Sequence, residues 1–493
     1  MKAALFAATV VLSALSATAE LHAVPSHGDL ARRQATSTSA AATRTRAPAV
    51  TSAATTSLAP PASGSVPSKP LASLSRIGTA TTAEATQPLP STFAAGATPP
   101  VQRAPTLPSI ANLNPANYPA LDVIPPIDSP EVKQWISEID WTNIPKIGET
   151  GIDGCSNATN AQAVAEAGED GRCWWTCGGC TRATDISYCP TKEDWGASFD
   201  DGPSPYTPRL LNLLEAQNLK STFFIVGSRA ISRPEMLQTE YMLGHQLSIH
   251  TWAHSSLTTL SNEEIVAELG WTKKIIKDIT GVTPNTMRPP YGDIDDRVRY
   301  ISLQMGLRPI IWTQYGDSQF DTRDWQIGGG VVSAPQVYAN FEAFLATASS
   351  HLTTGFIVLA HDLYQQSVDL AVDYILPNVI NQGKLKIKTI AQCLGESLEN
   401  SYIETSDNAT VPVQTTATVV GATGVGFVPS VGAQYAATGG STGGSASGAS
   451  TSGGSAPSAG ASAGSGGGNG AGSVRVAVAG LVMGAVGVAA VLA

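Results

Sequence analysis

Short apolar strands alternate with amphipathic helices in the central part of this 493-residue chain, and the alternation restricts the folds that it can adopt. The predicted strands cover 196–199, 221–226, 247–249, 309–312 and 356–360. The predicted helices cover 208–217, 336–349 and 368–381. Alternating β and α units favour a parallel sheet or barrel, in which ligands bind at the carboxyl ends of the strands. The sequence therefore predicts an α/β fold.

A fourth helix has sequence signals at both ends. Ser261 and Glu264 have the spacing of a capping box, which begins a helix. Gly281 is the residue type that commonly ends one. The apolar residues of one face are Ile265, Leu269, Ile276 and Ile279. The pattern predicts a helix that follows Ser261, runs to Thr280 and buries this face.

The residues on either side of this region have a composition that does not support a core. Residues 34–100 are mostly Ala, Ser, Thr and Pro, and the charged residues beyond position 400 are Glu404, Asp407 and Arg475. Such segments bury too little apolar surface to fold alone. We therefore expect disordered tails, with a Ser/Thr/Pro-rich stalk over 20–118 and a Ser/Gly/Ala-rich linker over 396–472.

The first 19 residues resemble a secretory signal peptide. Lys2 is followed by an apolar run over 3–15 and then by the small residues of Ala17-Thr18-Ala19. A charge, a short apolar stretch and a small-residue cleavage site are typical of such signals. We expect cleavage after Ala19 and export of the chain.

The last residues predict a glycosylphosphatidylinositol (GPI) attachment signal. Small polar residues over 464–473 precede an apolar tail over 476–493. We expect attachment at Asn469, or at the neighbouring Gly470, and removal of residues 473–493 as a propeptide. A single membrane span is the alternative. The prediction places the protein in the cell wall and at the outer face of the plasma membrane.

The six cysteines are expected to form disulfides, because secreted proteins fold under oxidising conditions. Five of them lie in a Cys-rich extension over 119–189, and the sixth is Cys393. Cys177-Gly-Gly-Cys180 also fits a redox or zinc motif, although a structural bridge is favoured. Asn157 and Asn408 each begin an Asn-Ala-Thr glycosylation sequon.

Ionisable residues follow the predicted strands at the points where they end. Asp200-Asp201 closes the first strand, and neighbouring residues of a strand point to opposite faces. His250 and His254 follow a later strand at a spacing that, on a helical turn, puts both rings on one side, as a metal site requires. Each feature alone has a simpler explanation, a surface turn for the aspartates and chance for the histidines. Two later segments repeat the placement, DTRDW over 321–325 after the strand 309–312 and the His361-Asp362 end of IVLAHD over 357–362. A further segment, RPPYGD over 288–293, follows the helix that ends before Gly281.

Five segments in this order, SFDDGP, HTWAH, RPPYGD, DTRDW and IVLAHD, resemble the five motifs of the polysaccharide deacetylases. This family is also called the NodB-homology family or carbohydrate esterase family 4. The resemblance covers residues 190–395, and the stalk and anchor resemble those of fungal chitin deacetylases. It implies a distorted (β/α) barrel of the NodB type as the catalytic domain.

The resemblance also implies roles for individual residues. Asp201, His250 and His254 match the family's metal ligands, and the ion is expected to be Zn²⁺ or Co²⁺. Two neutral imidazoles and one carboxylate leave coordination positions open for water and substrate. Asp200 matches the general base that deprotonates the attacking water, and Arg288 matches the arginine that steers it.

The remaining motif residues match groups that act on the substrate. His361 matches the general acid, and Asp324 matches the carboxylate that holds its other ring nitrogen. The Tyr291 backbone N–H matches an oxyanion donor. The resemblance implies that Leu359 and Trp325 line the pocket for the acetyl methyl group, with Trp312 as an alternative tryptophan. It also implies a disulfide between Cys189 and Cys393.

The chain is thus expected to be a metal-dependent hydrolase of C–N amide bonds. Its substrate would be chitin, whose N-acetylglucosamine units would lose their N-acetyl groups to give chitosan and acetate in the cell wall. Cell-wall polysaccharide is the expected partner, and no nucleic acid is expected. The alternatives are a wall-anchored chitin-binding or structural protein without activity, and a deacetylase of peptidoglycan or acetylated xylan.

Overall fold

The computed structural model describes residues 65–82 and 86–407, whose strands form two parallel sheets and a hairpin. The strands are β1 (Asp194–Gly196), β2 (Ser198–Asp200), β3 (Thr222–Ile225), β4 (Gln246–Ile249), β5 (Thr286–Met287), β6 (Arg308–Pro309), β7 (Gln314–Tyr315), β8 (Ser318–Gln319), β9 (Phe356–Ile357) and β10 (Lys386–Lys388). The larger sheet has the order β2-β3-β4-β5-β6, and the smaller has the order β10-β1-β9. Every pairing within these two sheets is parallel, which confirms the α/β prediction.

Backbone hydrogen bonds join the two sheets into a distorted barrel. The chain beyond β6 meets β9 where Thr313 N donates to the Ile357 carbonyl at 3.0 Å. The chain beyond β9 meets β2 where Asp200 N donates to the Ala360 carbonyl at 2.9 Å and Asp362 N donates to the Asp200 carbonyl at 3.1 Å. The strand order therefore closes on itself, as the family resemblance implied. In such a barrel the carboxyl ends of the parallel strands meet at one rim.

Helices alternate with the strands along the barrel. They span Pro130–Ser137, Ala161–Ala165, Trp175–Gly178, Thr207–Ala216, Gly227–Ser232, Pro234–Met242, Asn262–Thr280, Asp296–Gln304, Ala334–Ser350, Gln365–Leu370, Leu376–Gln382 and Ile390–Cys393. A π-helical turn, Ala371–Ile375, joins the tenth of these to the eleventh. The helix predicted over 368–381 therefore begins earlier and is irregular in the middle.

The helix Asn262–Thr280 forms as its sequence predicts. Glu264 N donates to Ser261 Oγ at 3.2 Å, and Ser261 N donates to Glu264 Oε2 at 2.9 Å. Gly281 ends the helix in the left-handed conformation, with a φ of 85°. All four residues of the predicted apolar face are fully buried in the core. Burial of this face is the main stabilisation that an amphipathic helix gains from its domain.

The described parts of the predicted tails pack against the barrel, which corrects their assignment as stalk and linker. Leu74, Val101 and Leu107 of the 20–118 segment are buried in the same core as the strands. Tyr402 of the 396–472 segment is fully buried, and its hydroxyl accepts from Leu247 N at 3.1 Å. Scattered apolar side chains thus anchor segments whose overall composition is polar and proline-rich. Composition averages conceal such single anchors.

All six cysteines form disulfides. The structure contains the expected Cys189–Cys393 bridge, which spans 204 residues of sequence. The other bridges are Cys155–Cys177 and Cys173–Cys180. The alternative of a redox or zinc motif at Cys177 and Cys180 is wrong, because each of the two pairs with a different partner.

Several predictions fall outside the described residues. They are the signal peptide over 1–19, the sequon at Asn408, the attachment residue Asn469 and the propeptide over 473–493. Asn157 is described, and its Nδ2 donates to the Ile152 carbonyl at 2.8 Å, while its glycosylation stays a prediction. The helices of residues 65–82 and 86–407 are each too short or too polar to span a lipid bilayer.

Candidate active site

The rim at the carboxyl ends of the barrel strands gathers the motif residues from distant parts of the sequence. Asp200 ends β2, His250 directly follows β4, and Arg288 directly follows β5. His361 lies beyond β9, where its backbone pairs with that of Asp200 as a parallel bridge. All four side chains are at most 2% exposed. The carboxyl ends of parallel strands in one barrel meet at one rim. Motif residues that follow successive strands are therefore close together in space.

Asp201, His250 and His254 form a candidate metal centre. Asp201 Oδ1 lies 3.3 Å from His250 Nε2 and 3.0 Å from His254 Nε2. The ligand atoms of the three residues all lie within 4.8 Å of one another. His250 Nδ1 donates to the Arg288 carbonyl at 2.8 Å, and this bond leaves the Nε2 lone pair directed at the centre. The donor set fits a catalytic zinc-type ion.

The neutral state of His254 also suits metal binding. Burial lowers the pKa of His254, because the loss of solvent outweighs the favourable charge of Asp201. A metal ligand must be the neutral imidazole.

The two histidines do not lie on a helical turn, which corrects that part of the prediction. Thr251 and His254 have φ values of 64° and 60°, so the segment is a tight turn with two left-handed residues. Glu268 stabilises this turn from the helix Asn262–Thr280. Its Oε2 accepts from Trp252 N at 2.7 Å and from Ala253 N at 2.9 Å. The rings converge because of these bonds rather than because of helical periodicity.

Asp200 is fixed beside the metal centre by an arginine. Arg288 Nη1 donates to Asp200 Oδ1 at 2.6 Å and to Ser198 Oγ at 3.1 Å. The other carboxylate oxygen of Asp200, Oδ2, lies 3.9 Å from His250 Nε2. The guanidinium of Arg288 stacks over the Phe224 ring at 3.9 Å. Asp200 therefore has one oxygen held by Arg288 and the other turned toward the candidate ligands.

His361 is held by Asp324 through both side chain and backbone. His361 Nδ1 donates to Asp324 Oδ1 at 2.6 Å, and His361 N donates to Asp324 Oδ2 at 3.0 Å. Burial lowers the pKa of His361, but the charge and hydrogen bond of Asp324 outweigh it and raise the pKa to about 9. The imidazole is therefore protonated at neutral pH.

Comparison with known proteins agrees with this geometry. Residues 187–310 match the family model described as polysaccharide deacetylase. The chain is 56% identical over 368 residues to chitin deacetylase 1 of Cryptococcus neoformans var. grubii, an alignment that covers 74% of this chain and 76% of that protein. The chain belongs to the polysaccharide deacetylase family.

Two further matches cover less of this chain. It is 35% identical over 285 residues to the chitin deacetylase of Amylomyces rouxii, which covers 56% of this chain and 64% of that protein. The solved structure of a chitin deacetylase from Colletotrichum lindemuthianum is 26% identical to it. The match to that structure has a TM-score of 0.40 and covers 45% of this chain and 97% of the chain in the solved structure.

Three further residues predicted from the deacetylase motifs lie around the same rim. Tyr291 has a φ of 61°, and its hydroxyl lies 3.3 Å from His254 Nδ1. Leu359 is buried in the main core, and its backbone pairs with that of Asp321. Trp325 is half-buried against the residues that follow His361.

The two candidate tryptophans of the pocket have different neighbours. Trp325 packs against Leu363 and Tyr364. Trp312 lies edge-on to Trp175, with 5.8 Å between the ring centres, and its Nε1 donates to Gln319 Oε1 at 3.1 Å. Gln319 belongs to the β7–β8 hairpin, which forms the segment that separates Trp312 from the DTRDW motif.

Glu268 and Asp362 are buried carboxylates for which the sequence predicted no role. Burial raises the pKa of Glu268 to about 7 and that of Asp362 to about 7. The Thr207 hydroxyl donates to Asp362 Oδ2. The sequence signal that could have identified Glu268 is its position beside Leu269, on the edge of the apolar face of the helix Asn262–Thr280.

Proposed function

We propose that this protein is a metal-dependent chitin deacetylase, which hydrolyses the N-acetyl groups of N-acetylglucosamine units in chitin to give chitosan and acetate. The observation that carries the proposal is the convergence of the Asp201–His250–His254 centre, the Asp200–Arg288 pair and the Asp324–His361 pair in one buried site. Such a site combines ligands, a base and an acid, which are the groups that amide hydrolysis needs. The identity to a relative named chitin deacetylase 1 supports chitin as the substrate.

Asp201, His250 and His254 would hold Zn²⁺ or Co²⁺. When bound, the ion supplies Lewis acidity, which polarises the acetamide carbonyl and makes a proton of water easier to remove. The two nitrogens and one carboxylate leave room for water and substrate at the same centre.

Asp200 is the proposed general base. Arg288 holds its Oδ1, so Oδ2 is the oxygen that takes a proton from the attacking water.

His361 is the proposed general acid. Asp324 holds its Nδ1, so Nε2 is the atom that delivers a proton to the departing amine of the sugar. The Tyr291 backbone N–H is proposed to stabilise the oxyanion of the tetrahedral intermediate. Leu359 and Trp325 are proposed to line the pocket for the acetyl methyl group.

The proposed setting is outside the cell. Three disulfides fit an oxidising compartment. We propose secretion, retention at the plasma membrane through a GPI anchor at Asn469, and action on the cell wall. Fractionation of cells with and without phospholipase treatment tests the anchor, since the enzyme should move from the membrane to the soluble fraction.

Acetate release from three polymers tests the proposed activity. The purified protein should release acetate from chitin oligomers faster than from peptidoglycan or acetylated xylan. A chelator should abolish the release, and Zn²⁺ or Co²⁺ should restore it. Faster release from one of the other polymers would favour a different acetylated substrate. No release from any of them, with metal bound, would favour a binding or structural protein.

A further inference from the structure

Asp293 is a buried carboxylate that connects three segments of the chain next to the candidate active site. Its side chain is 1% exposed. Its Oδ1 accepts from Trp174 Nε1 at 2.7 Å and from Thr176 Oγ1 at 3.0 Å. Its Oδ2 accepts from Ser256 Oγ at 2.5 Å, Thr258 N at 2.9 Å and Thr258 Oγ1 at 2.7 Å. Five donors thus surround a charge that burial would otherwise make costly.

Two of the connected segments carry active-site residues in unusual conformations. His254 lies two residues before Ser256, and Tyr291 lies two residues before Asp293. Their φ values are 60° and 61°, a left-handed conformation that residues other than glycine adopt only when their surroundings hold them there. Their rings are 4.8 Å apart. The hydrogen bonds of Asp293 are close enough in sequence to hold both residues.

The third segment is a short loop that we call the hook, from Cys173 to Cys180, closed by the disulfide between these two residues. Arg299 donates to the backbone carbonyls of both cysteines, and its bond to Cys180 measures 3.1 Å. The same guanidinium forms a buried ion pair with Asp185 at 2.9 Å. The hook is therefore anchored at both of its ends, and it presents Trp174 and Thr176 to Asp293 from a fixed position.

The hook also packs directly against the backbone of the Tyr291 loop. Trp175 N donates to the Ile294 carbonyl at 3.1 Å. Gly292 has a φ of 64°, and a Cβ atom there would lie 2.5 Å from Trp175 Cδ1 and 2.7 Å from Trp312 Cη2. A side chain at this position would push the hook and the loop apart. The close fit requires glycine.

We propose that Asp293 and the hook form a clamp that positions His254 and Tyr291 for the reaction. Asp293 is a positioning residue, since its contacts are to the hook and to the turn after His254. The clamp rests on the proposed function, because it sets the direction of a proposed metal ligand and of the proposed oxyanion donor. When the hook releases Asp293 Oδ1, both segments can relax toward unstrained backbone conformations. Misplacement by about 1 Å lowers turnover more than it lowers substrate binding.

The double variant Trp174→Phe/Thr176→Val removes both donors of the hook while it keeps most of the buried volume. We expect kcat to fall roughly tenfold to a hundredfold and KM to change by less than about threefold, as for a positioning defect. Hydrogen exchange should become faster in residues 254–258 and 291–293, with the rest of the barrel unchanged. Thr176→Ser keeps the hydroxyl and should keep the parent kcat.

Trp141→Phe is the matched control. Trp141 Nε1 donates to the Ile136 carbonyl at 3.0 Å, so this variant also loses an indole hydrogen bond, but far from the clamp in sequence. It should keep the parent kcat and the parent exchange in both segments. Should the double variant fail to fold, Thr176→Val alone removes one donor and undergoes the same measurements.

Two results would overturn the clamp. The first is parent kcat and parent exchange in the double variant. The second is a loss of activity accompanied by faster exchange throughout the barrel, which would make the hook a general stabiliser of the fold. Hydrogen exchange needs no substrate, so it tests the clamp even if the parent protein releases no acetate and the proposed function fails.

Discussion

Arg288 Nη1 donates to Asp200 Oδ1 at 2.6 Å, and both side chains are withdrawn from solvent. The same nitrogen also contacts Ser198 Oγ at 3.1 Å. A guanidinium is planar and donates its hydrogen bonds in a fixed geometry, so it fixes the direction of the carboxylate. This contact therefore determines which carboxylate oxygen of Asp200 is left for its proposed role as the base.

Arg288→Lys should lower kcat roughly tenfold to a hundredfold, because an ammonium on a flexible stem does not hold Asp200 in one orientation. Steady-state kinetics on chitin oligomers measures the change. Arg308→Lys is the control, since Arg308 forms a more exposed ion pair with Glu396 at 2.7 Å and has no proposed catalytic contact. Equal losses in the two variants would contradict a special role for Arg288.

The pH dependence of turnover tests the Asp324–His361 pair. The acid must be protonated, so activity should fall as the pH rises through the pKa of His361, which Asp324 raises to about 9. Asp324→Asn removes the anion while burial still lowers the pKa, so the alkaline limb should move to lower pH. Asp317→Asn, at an exposed position of the β7–β8 hairpin, should leave the limb in place. If the alkaline limb of Asp324→Asn does not move, the group whose deprotonation causes this limb is not His361.

Removal of the Cys189–Cys393 bridge should destabilise the domain strongly. The bridge closes a loop of 204 residues, and loss of a native disulfide costs about 2–5 kcal/mol. Cys189→Ala/Cys393→Ala should therefore unfold at a clearly lower temperature than the parent. Cys155→Ala/Cys177→Ala, whose bridge spans 22 residues, should lose less. The reverse order in calorimetry would show that loop closure does not dominate.

His245 should make the domain less stable in mild acid. Burial lowers the pKa of His245 to about 3, and Ser221 N donates to its Nδ1 at 3.1 Å. Below its ordinary pKa of about 6.5 the unfolded chain binds a proton that the folded domain refuses, so stability is lost as the pH falls. The loss for this group is about 2 kcal/mol between pH 6.5 and 5.

Urea unfolding at several pH values measures this effect. His245→Asn keeps an acceptor for Ser221 N and does not titrate. Its unfolding should therefore take up about one proton fewer than that of the parent, which gives its free energy of unfolding a shallower slope with pH. His351→Asn removes an exposed histidine and should keep the parent slope. Identical slopes in parent and His245→Asn would refute the assignment.

The rim of the barrel was predictable because local pattern and global topology agree there. Alternating strands and helices imply a parallel barrel, and polar residues directly after the strands must then meet at its rim. Asp200, His250 and His361 follow this rule, whereas the two-residue strand β5 that precedes Arg288 was not predicted. The family resemblance, and not the sequence pattern, predicted the pairs Asp200–Arg288 and His361–Asp324. The structure contains both hydrogen bonds.

Other features depend on contacts that no local pattern encodes. Trp174 meets Asp293 across 119 residues of sequence, and Glu268 forms the turn of His250 and His254 from a separate helix. The packing of residues near Leu74 on the barrel depends on single apolar anchors in a polar segment. Periodicity and composition are averages over neighbours in sequence, so they do not register such pairs.

Metal content and turnover of Asp200→Asn together test most directly whether Asp200 acts as a base beside a bound metal. This substitution removes the proposed base and leaves Asp201, His250 and His254 intact. The variant should bind one Zn²⁺ per chain, like the parent, and its kcat on chitin oligomers should fall by roughly a hundredfold or more. Acetate release at the parent rate by the metal-loaded variant would show that Asp200 is not the base.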